Sequence, residues 1–183
     1  MESAAPQIPL LATNEDLEKM KAKCLDKPIL VLLWASWDEH SQNLLKMMEE
    51  MPKVYQSVQV AYVDCDEAED LVDTLDVETV QTIVILHPTG SNKATEKIAG
   101  IKAETLTEVV DRENTFYREW YEQEKKKAFR DIEAQIGTYP FFIFIKGTKE
   151  EPKCKFTRRL VGMLAKTGYD YRTFNILGDQ RIR

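Results

Sequence analysis

Two stretches of the chain carry residue types that could do chemistry. "KGTKEEPKCKFTRR" sets Cys154 between Lys153 and Lys155, with Lys146 and Arg158 close by in sequence. A thiolate is the reactive form of cysteine and its metal-ligating form, and cations or a helix start favour it. Four basic residues around one sulfur, in a chain of net charge -6, suit a small anion better than a nucleic acid. The second stretch, "LWASWDEHSQ", places Asp38, Glu39, His40 and Ser41 at the head of a helix. Carboxylates there complement the helix dipole, and Asp38 can cap. Three adjacent side chains on a first helical turn diverge, which suits one metal ion poorly. The set reads as a capped helix tip or as a protein-docking surface. His87, before Pro88 in a turn, reads as a surface histidine, and Cys24 and Cys65 read as structural residues.

Composition narrows the classes. Apolar residues make up 43 % and charged residues 31 %, enough for a core and a solvated surface. The acidity argues against general phosphate-backbone binding, so no nucleic acid is expected. No run of about 18 apolar residues exists, so no membrane span is expected. Residues 1–12 read as a loose leader with no basic n-region, which is not a secretory signal. Three cysteines, far apart and odd in number, do not make a disulfide framework. A reducing compartment, cytoplasm or nucleus, fits them.

The elements that must position these residues follow from periodicity. Thr13 or Asn14 caps a helix over "EDLEKMKAKCL"; "PILVLLW" is a buried strand; "SQNLLKMMEEMPK" is an amphipathic helix stopped at Pro52. "VQVAYVDCD" alternates as a strand, "EAEDLVDTLD" is a short helix, and "VQTIVILHP" and "TEKIAGI" are strands across the turn "PTGSN". Alternating helices and strands imply a mixed sheet with helices on both faces. From Lys102 to Gly137 no proline or glycine intervenes, so one long helix or two abutting ones connect to the rest. Aromatics in that run, Tyr117, Trp120, Tyr121 and Phe129, either pack the helix onto its own domains or face a partner. Then "PFFIFIKG" reads as a strand, "FTRRLVGMLAKTG" as a helix ending at Gly168, "YDYRTFNIL" as a strand, and "GDQRIR" as the opening turn of a helix. Two parallel strands with one crossover helix cannot cover both sheet faces. Either this unit pairs with something else or the sequence is cut from a longer chain; the cut is the expectation.

Residues 14 to 112 resemble a thioredoxin domain. The resemblance rests on "VLLWASW", "VAYVDCDEAEDL" and "LDVETVQTIVIL" in that order and spacing. It puts Asp38 and Ser41 where the family has its two cysteines, Leu32 where it has a buried acid, and Gln81 where it has a cis-proline. Dithiol exchange needs an attacking and a resolving thiol, so the resemblance implies a fold kept without that chemistry. A cis bond before a non-proline costs about 3–4 kcal/mol, so a trans peptide and a reshaped loop are expected at Gln81.

"FFIFIKGTKEEPKCKFTRRLVGMLAKTGYDYRTFNIL" resembles the monothiol glutaredoxins, whose motif is K-G-T-x-x-x-P-x-C-G-F-S. Lys146, Gly147, Thr148, Pro152, Cys154 and Phe156 fall in register. A thioredoxin-like domain followed by such a unit is the arrangement of multidomain monothiol glutaredoxins of the PICOT (glutaredoxin-3) type. The resemblance implies a [2Fe–2S] cluster held with glutathione, Cys154 as its ligand, and Lys146, Phe156 and Arg183 as glutathione-binding residues. It also implies glutathione, a cluster-bridged second copy or a BolA-like protein, and proteins docking on the thioredoxin-like domain, as partners. Lys155 stands where the family has glycine, and Thr157 where it has serine.

The expected fold class is therefore α/β: a thioredoxin fold over 1–113, a helical linker with the first glutaredoxin helix over 114–137, and a partial glutaredoxin-like β-α-β unit over 138–183. The expected function is a redox-inactive module joined to a monothiol module serving cluster relay or iron homeostasis, not a turnover enzyme. The rival expectation is a structural interaction module in a larger assembly.

Overall fold

The chain is described here from a computed structural model, over residues 8–179, 181 and 182. At its centre lies β1 (Ile29–Trp34), whose first five side chains are buried. A strand apolar at every position has no face to give to water, so the chain covers both sides of it. β2 (Gln59–Asp64) pairs with β1 in parallel, β3 (Thr82–Leu86) pairs antiparallel on its other side, and β4 (Glu96–Ile98) pairs antiparallel with β3, giving the order β2-β1-β3-β4.

The two-residue alternation of strands sorts their side chains into two cores. Leu30, Leu32, Val60, Tyr62, Ile83 and Ile85 pack in one core with Leu44, Leu45 and Met48 of α2 (Glu39–Val54) and with Leu106, Val109 and Val110 of α4 (Ala103–Ile136). Ile29, Val31, Leu33, Ala61, Val63 and Val84 pack in the other with Leu17 of α1 (Asn14–Lys23) and with Leu71 and Leu75 of α3 (Glu69–Leu75). This is the mixed sheet with helices on both faces that the element order implied.

Several local expectations are corrected. Pro52 does not stop α2, which runs on to Val54. A proline so near a helix end forgoes one intrahelical bond, and the Tyr55 N–H to Met51 carbonyl bond at 2.8 Å closes the turn. Residues 8 to 11 are not a loose leader: Leu11 donates its N–H to the Tyr62 carbonyl (2.9 Å), Tyr62 returns its own N–H to Pro9 (3.0 Å), and Ile8 and Leu11 are buried. The fifth helix ends before the expected Gly168, at Leu164, with turns following.

His87 is corrected most. Its side chain is 2 % exposed, stacked on Tyr117 at 5.8 Å and bonded to the Tyr117 hydroxyl through Nδ1 at 2.8 Å. Beside it the fully buried Glu113 carboxylate accepts from Lys93 Nζ at 2.9 and 3.1 Å and from Arg112 Nε at 2.8 Å. This cluster ties the turn after β3 to α4. Burial pushes the His87 imidazolium form down, with Lys93 and Arg112 adding to the effect against Glu113 and Glu96.

The chain divides into two compact units, Met1–Trp120 and Tyr121–Arg183. The division falls inside α4, a single 34-residue helix, the first of the two alternatives (one long helix or two abutting ones). Of the helix aromatics, Tyr117 is fully buried against its own unit, whereas Phe129 is 51 % exposed. In the second unit β5 (Phe142–Ile145) and β6 (Arg172–Asn175) pair in parallel, connected through α5 (Lys155–Leu164). Gly147, after β5, takes φ +93; a Cβ there would strike the Glu151 carbonyl and come within 2.7 Å of the Lys153 nitrogen. Only glycine fits, which fixes the loop that delivers Cys154.

Candidate functional site

The "DEHS" stretch lies where β1 hands over to α2. Asp38 is the N-cap, accepting the Ser41 N–H on Oδ2 at 2.7 Å. Its other oxygen accepts Gln81 Nε2 at 3.0 Å. Ser41 is fully buried; its hydroxyl accepts the Ala35 N–H at 3.3 Å and lies within bonding distance of the Ala35 and Asp38 carbonyls. Partial burial pushes the Asp38 carboxyl up, but the bonds from Ser41 and Gln81 outweigh it and hold the group below the usual carboxylate range. Glu39 and His40 are exposed at the helix tip. Asp38, Ser41 and Gln81 are thus brought together, and Glu39 and His40 stand outside that set.

Gln81 has φ +60, and no peptide bond among the described residues is cis. The expected trans, reshaped loop is present. Its backbone is tied on both sides, N–H to the Leu33 carbonyl (3.1 Å) and carbonyl from the Ile101 N–H (3.0 Å). Leu32, at the place of the buried acid, is fully buried in the core. An open groove of about 640 Å³ adjoins this end of the unit, lined by His40, Leu44, Met47, Gln81, Ile101 and Lys102 among others. Trp37 stands 68 % exposed, its indole N–H donating to Asp66 at 3.2 Å.

Cys154 is the N-cap of α5. Its sulfur accepts the Thr157 N–H at 3.3 Å and lies 3.2 Å from Thr157 Oγ1. That oxygen also accepts the Lys146 N–H at 3.2 Å, and when the sulfur is a thiolate, which can only accept, the Thr157 hydroxyl proton points to it. The Thr157 hydroxyl, then its N–H, hold the Cys154 thiol below its ordinary pKa, with smaller help from the Phe156 N–H and the Lys146 charge. Of the two expected causes, the helix-start N–H is present at Thr157, while the four neighbouring cations contribute less than expected. Lys153 pairs with Glu151 at 2.6 Å, Lys155 lies 5.2 Å from the centre of the Phe156 ring, and Lys146 alone of the four adds an electrostatic pull. Thr157, which stands where the resembled family has serine, is the main source of the shift; a Cys-x-x-Thr at a helix start was its signal.

Lys146 and Phe156 are exposed near Cys154, Phe156 by 73 %, and Arg183 lies outside the described residues. Arg181, which sequence reasoning passed over, binds Asp179 at 2.7 Å and Glu124 at 3.1 Å. Cys65 is the opposite of Cys154: burial, then Asp64 and Asp66, push its thiol up to about 11. Cys24 is also raised by burial, and both are free thiols.

The thioredoxin family profile matches residues 9–112, more than half of the chain. The chain belongs to the thioredoxin family. Among solved structures, this family member is similar to Fasciola hepatica thioredoxin, 26 % identical with a TM-score of 0.52, covering 58 % of this chain and 99 % of that one. Chloroplastic thioredoxin z, at 24 % identity and a TM-score of 0.50, shares the fold over 62 % of this chain and 99 % of its own. The likeness to curated proteins runs further. Bos taurus glutaredoxin-3 is 24 % identical over 172 residues, 92 % of this chain and 50 % of that protein. Monothiol glutaredoxin-4 of Schizosaccharomyces pombe is 20 % identical over 92 % of this chain and 79 % of its own length. Monothiol glutaredoxin-S11 of Oryza sativa is 38 % identical over 52 residues, 28 % of this chain and 11 % of that protein. This thioredoxin-family chain is similar to the glutaredoxin-3 proteins over 92 % of its length, and it spans about half the length of those relatives.

Proposed function

We propose that the chain joins a thioredoxin-like docking module, without dithiol chemistry, to a monothiol glutaredoxin-like unit that binds glutathione and takes part in holding or passing on a [2Fe–2S] cluster. The glutaredoxin names of the relatives support the glutaredoxin-like role. The observation that carries the finer reading is the state of Cys154: half-buried at a helix start, with its thiolate favoured by two bonds from Thr157. That donor suits iron. Such a cluster is held by four thiolates, and no group of three or more His, Cys, Asp or Glu able to hold a metal exists among the described residues. The remaining thiolates would come from glutathione and a second protein molecule. Lys146 would meet a glutathione carboxylate and Phe156 would pack on the ligand; what the cluster supplies is electron or iron–sulfur delivery.

For the first unit, the reading rests on Asp38 and Ser41 in place of thiols and on Leu32 in place of an acid. The groove beside Gln81 offers a docking surface without catalysis. Reconstitution with iron, sulfide and glutathione tests the cluster. Visible charge-transfer absorbance is expected in the wild type and lost in Cys154→Ala. Absorbance that survives the substitution, or never forms, removes the cluster reading and leaves the interaction module.

A further inference from the structure

Charge is divided unevenly along the chain. The first unit, residues 1–120, holds 11 Lys and Arg against 23 Asp and Glu, a net -12, while residues 121–183 hold 14 against 8, a net +6. Acid is concentrated further within the first unit. Residues 54–92 contain eight Asp and Glu and neither Lys nor Arg. Of these, Asp66, Glu67, Glu69, Asp70 and Asp73 are exposed on α3 and the turn before it, beside the exposed Trp37 that Asp66 binds.

In the second unit, α5 is the counterpart. Its sequence, KFTRRLVGML, has no acidic residue. Helical spacing puts Lys155, Arg159 and, in the following turn, Lys166 on one side, with Arg158 next to them. All four are exposed, and none makes an ion pair among the described residues. Phe156, 73 % exposed, and Met163, 51 % exposed, border the same side, while Thr157 is buried on the opposite one. Like charges on one helix face repel, and nothing within the helix offsets them. A stripe of cations bordered by an aromatic and a methionine suits an acidic protein surface that also carries an aromatic.

We propose that the outer face of α5 in one copy docks on the acidic α3 surface of a second copy, an electrostatic contact that needs neither iron nor glutathione nor Cys154. The second copy is the occupant because this chain itself carries the complementary surface, down to Trp37 beside the carboxylates. A polyphosphate is disfavoured by the first unit's net -12.

The test is sedimentation equilibrium of the full chain, reduced and free of iron and glutathione. Low salt is compared with ~0.5 M salt, where screening acts within a few Å. The wild-type mass rises with concentration in low salt and returns to the monomer in high salt. Arg158→Glu with Arg159→Glu makes α5 acidic; Asp70→Lys with Asp73→Lys makes α3 basic; each double variant alone stays monomeric. Mixed in equal amounts they associate again, since reversed α5 meets reversed α3 and native meets native. Regained association also shows that both variants fold; should the α3 variant lose its helical signal, Glu67→Lys with Glu69→Lys replaces it. A wild type monomeric at every concentration, association that survives either reversal, or a mixture that stays monomeric overturns the contact. Binding of a labelled single-stranded RNA or of phosphatidylserine vesicles by a monomeric wild type, lost in the α5 variant, overturns it in favour of another anion.

Discussion

Lys93→Met probes the buried charge cluster of the first unit. The Glu113 carboxylate is 0 % exposed, whereas the side chains of its cations are 29 % (Lys93) and 48 % (Arg112) exposed. Removing Lys93 takes away the 2.9 and 3.1 Å bonds and leaves Arg112 Nε at 2.8 Å. Breaking a buried pair costs about 3–5 kcal/mol; the surviving Arg112 bond lowers this to about 2–3 kcal/mol. For a unit of this size that is a drop in Tm of roughly 8–12 °C. Glu113→Gln should cost less, about 1 kcal/mol, because the stranded groups are then cations that can turn to water. The pH dependence carries a sign. The His87 pKa in the folded chain lies below its unfolded value of about 6.5, so between the two the unfolded chain binds more protons. Wild-type stability therefore falls as pH drops below about 6.5. Without Lys93, His87 takes up its proton more readily and stands 3.8 Å from Glu113 as a replacement cation. The deficit of Lys93→Met should thus narrow from pH 7.5 to 5.5. Urea denaturation followed by tryptophan fluorescence reads this unit alone, since Trp34, Trp37 and Trp120 all lie in it. A loss under about 0.5 kcal/mol, a Gln variant worse than the Met variant, or a deficit unchanged with pH would refute the reasoning.

Three further outcomes are expected. Thr157→Val removes the hydroxyl beside the sulfur, so the Cys154 pKa should rise and alkylation by iodoacetamide at pH 7 should slow; an unchanged rate–pH profile would place the cause elsewhere. Gln81→Pro restores the residue of the resembled family but forces φ near -65° where the chain holds +60, and it deletes the bond to Leu33; destabilisation of about 3 kcal/mol or more is expected by urea denaturation, and a neutral result would show that the loop is not fixed. Asp38→Cys with Ser41→Cys should form a disulfide yet reduce insulin far more slowly than a thioredoxin, for lack of an acid at Leu32 and with Gln81 at the opposing loop; thioredoxin-like turnover would contradict the docking-module reading.

The strands were legible because a buried strand advertises itself by continuous apolar, β-branched sequence, as β1 and β3 do. The Cys154 cap was legible because a cap depends on residues within three positions. What failed was nonlocal. His87 sits before Pro88 in a turn, and its partners Glu113 and Tyr117 come from a helix 26 and 30 residues on. The signal was present: Leu106, Val109, Val110, Glu113 and Tyr117 share a helical stripe, and an acid inside an apolar stripe is buried and therefore paired. Residues 8–11 failed likewise, because four residues pairing with a distant strand leave no periodicity.

The two sites differ in how their hydrogen bonds are spent, and this bears more on function than the residue types do. At the thioredoxin-like end each Asp38 oxygen has its partner, the Ser41 hydroxyl is enclosed among backbone groups, and Gln81 is anchored by backbone and side chain. A group saturated within the fold has little to offer a reactant, since any new bond must displace an existing one. At Cys154 the bonding runs the other way. Thr157 gives its N–H and its hydroxyl to the sulfur, and Lys146 gives its N–H to Thr157, so each donor stabilises negative charge on an atom that remains half-exposed. Hydrogen bonds that converge on the charged form of a group prepare it for ligation; bonds that close on one another prepare only a shape. That contrast is what supports the proposed reading, in which the second unit carries the sulfur chemistry and the first contributes a docking surface.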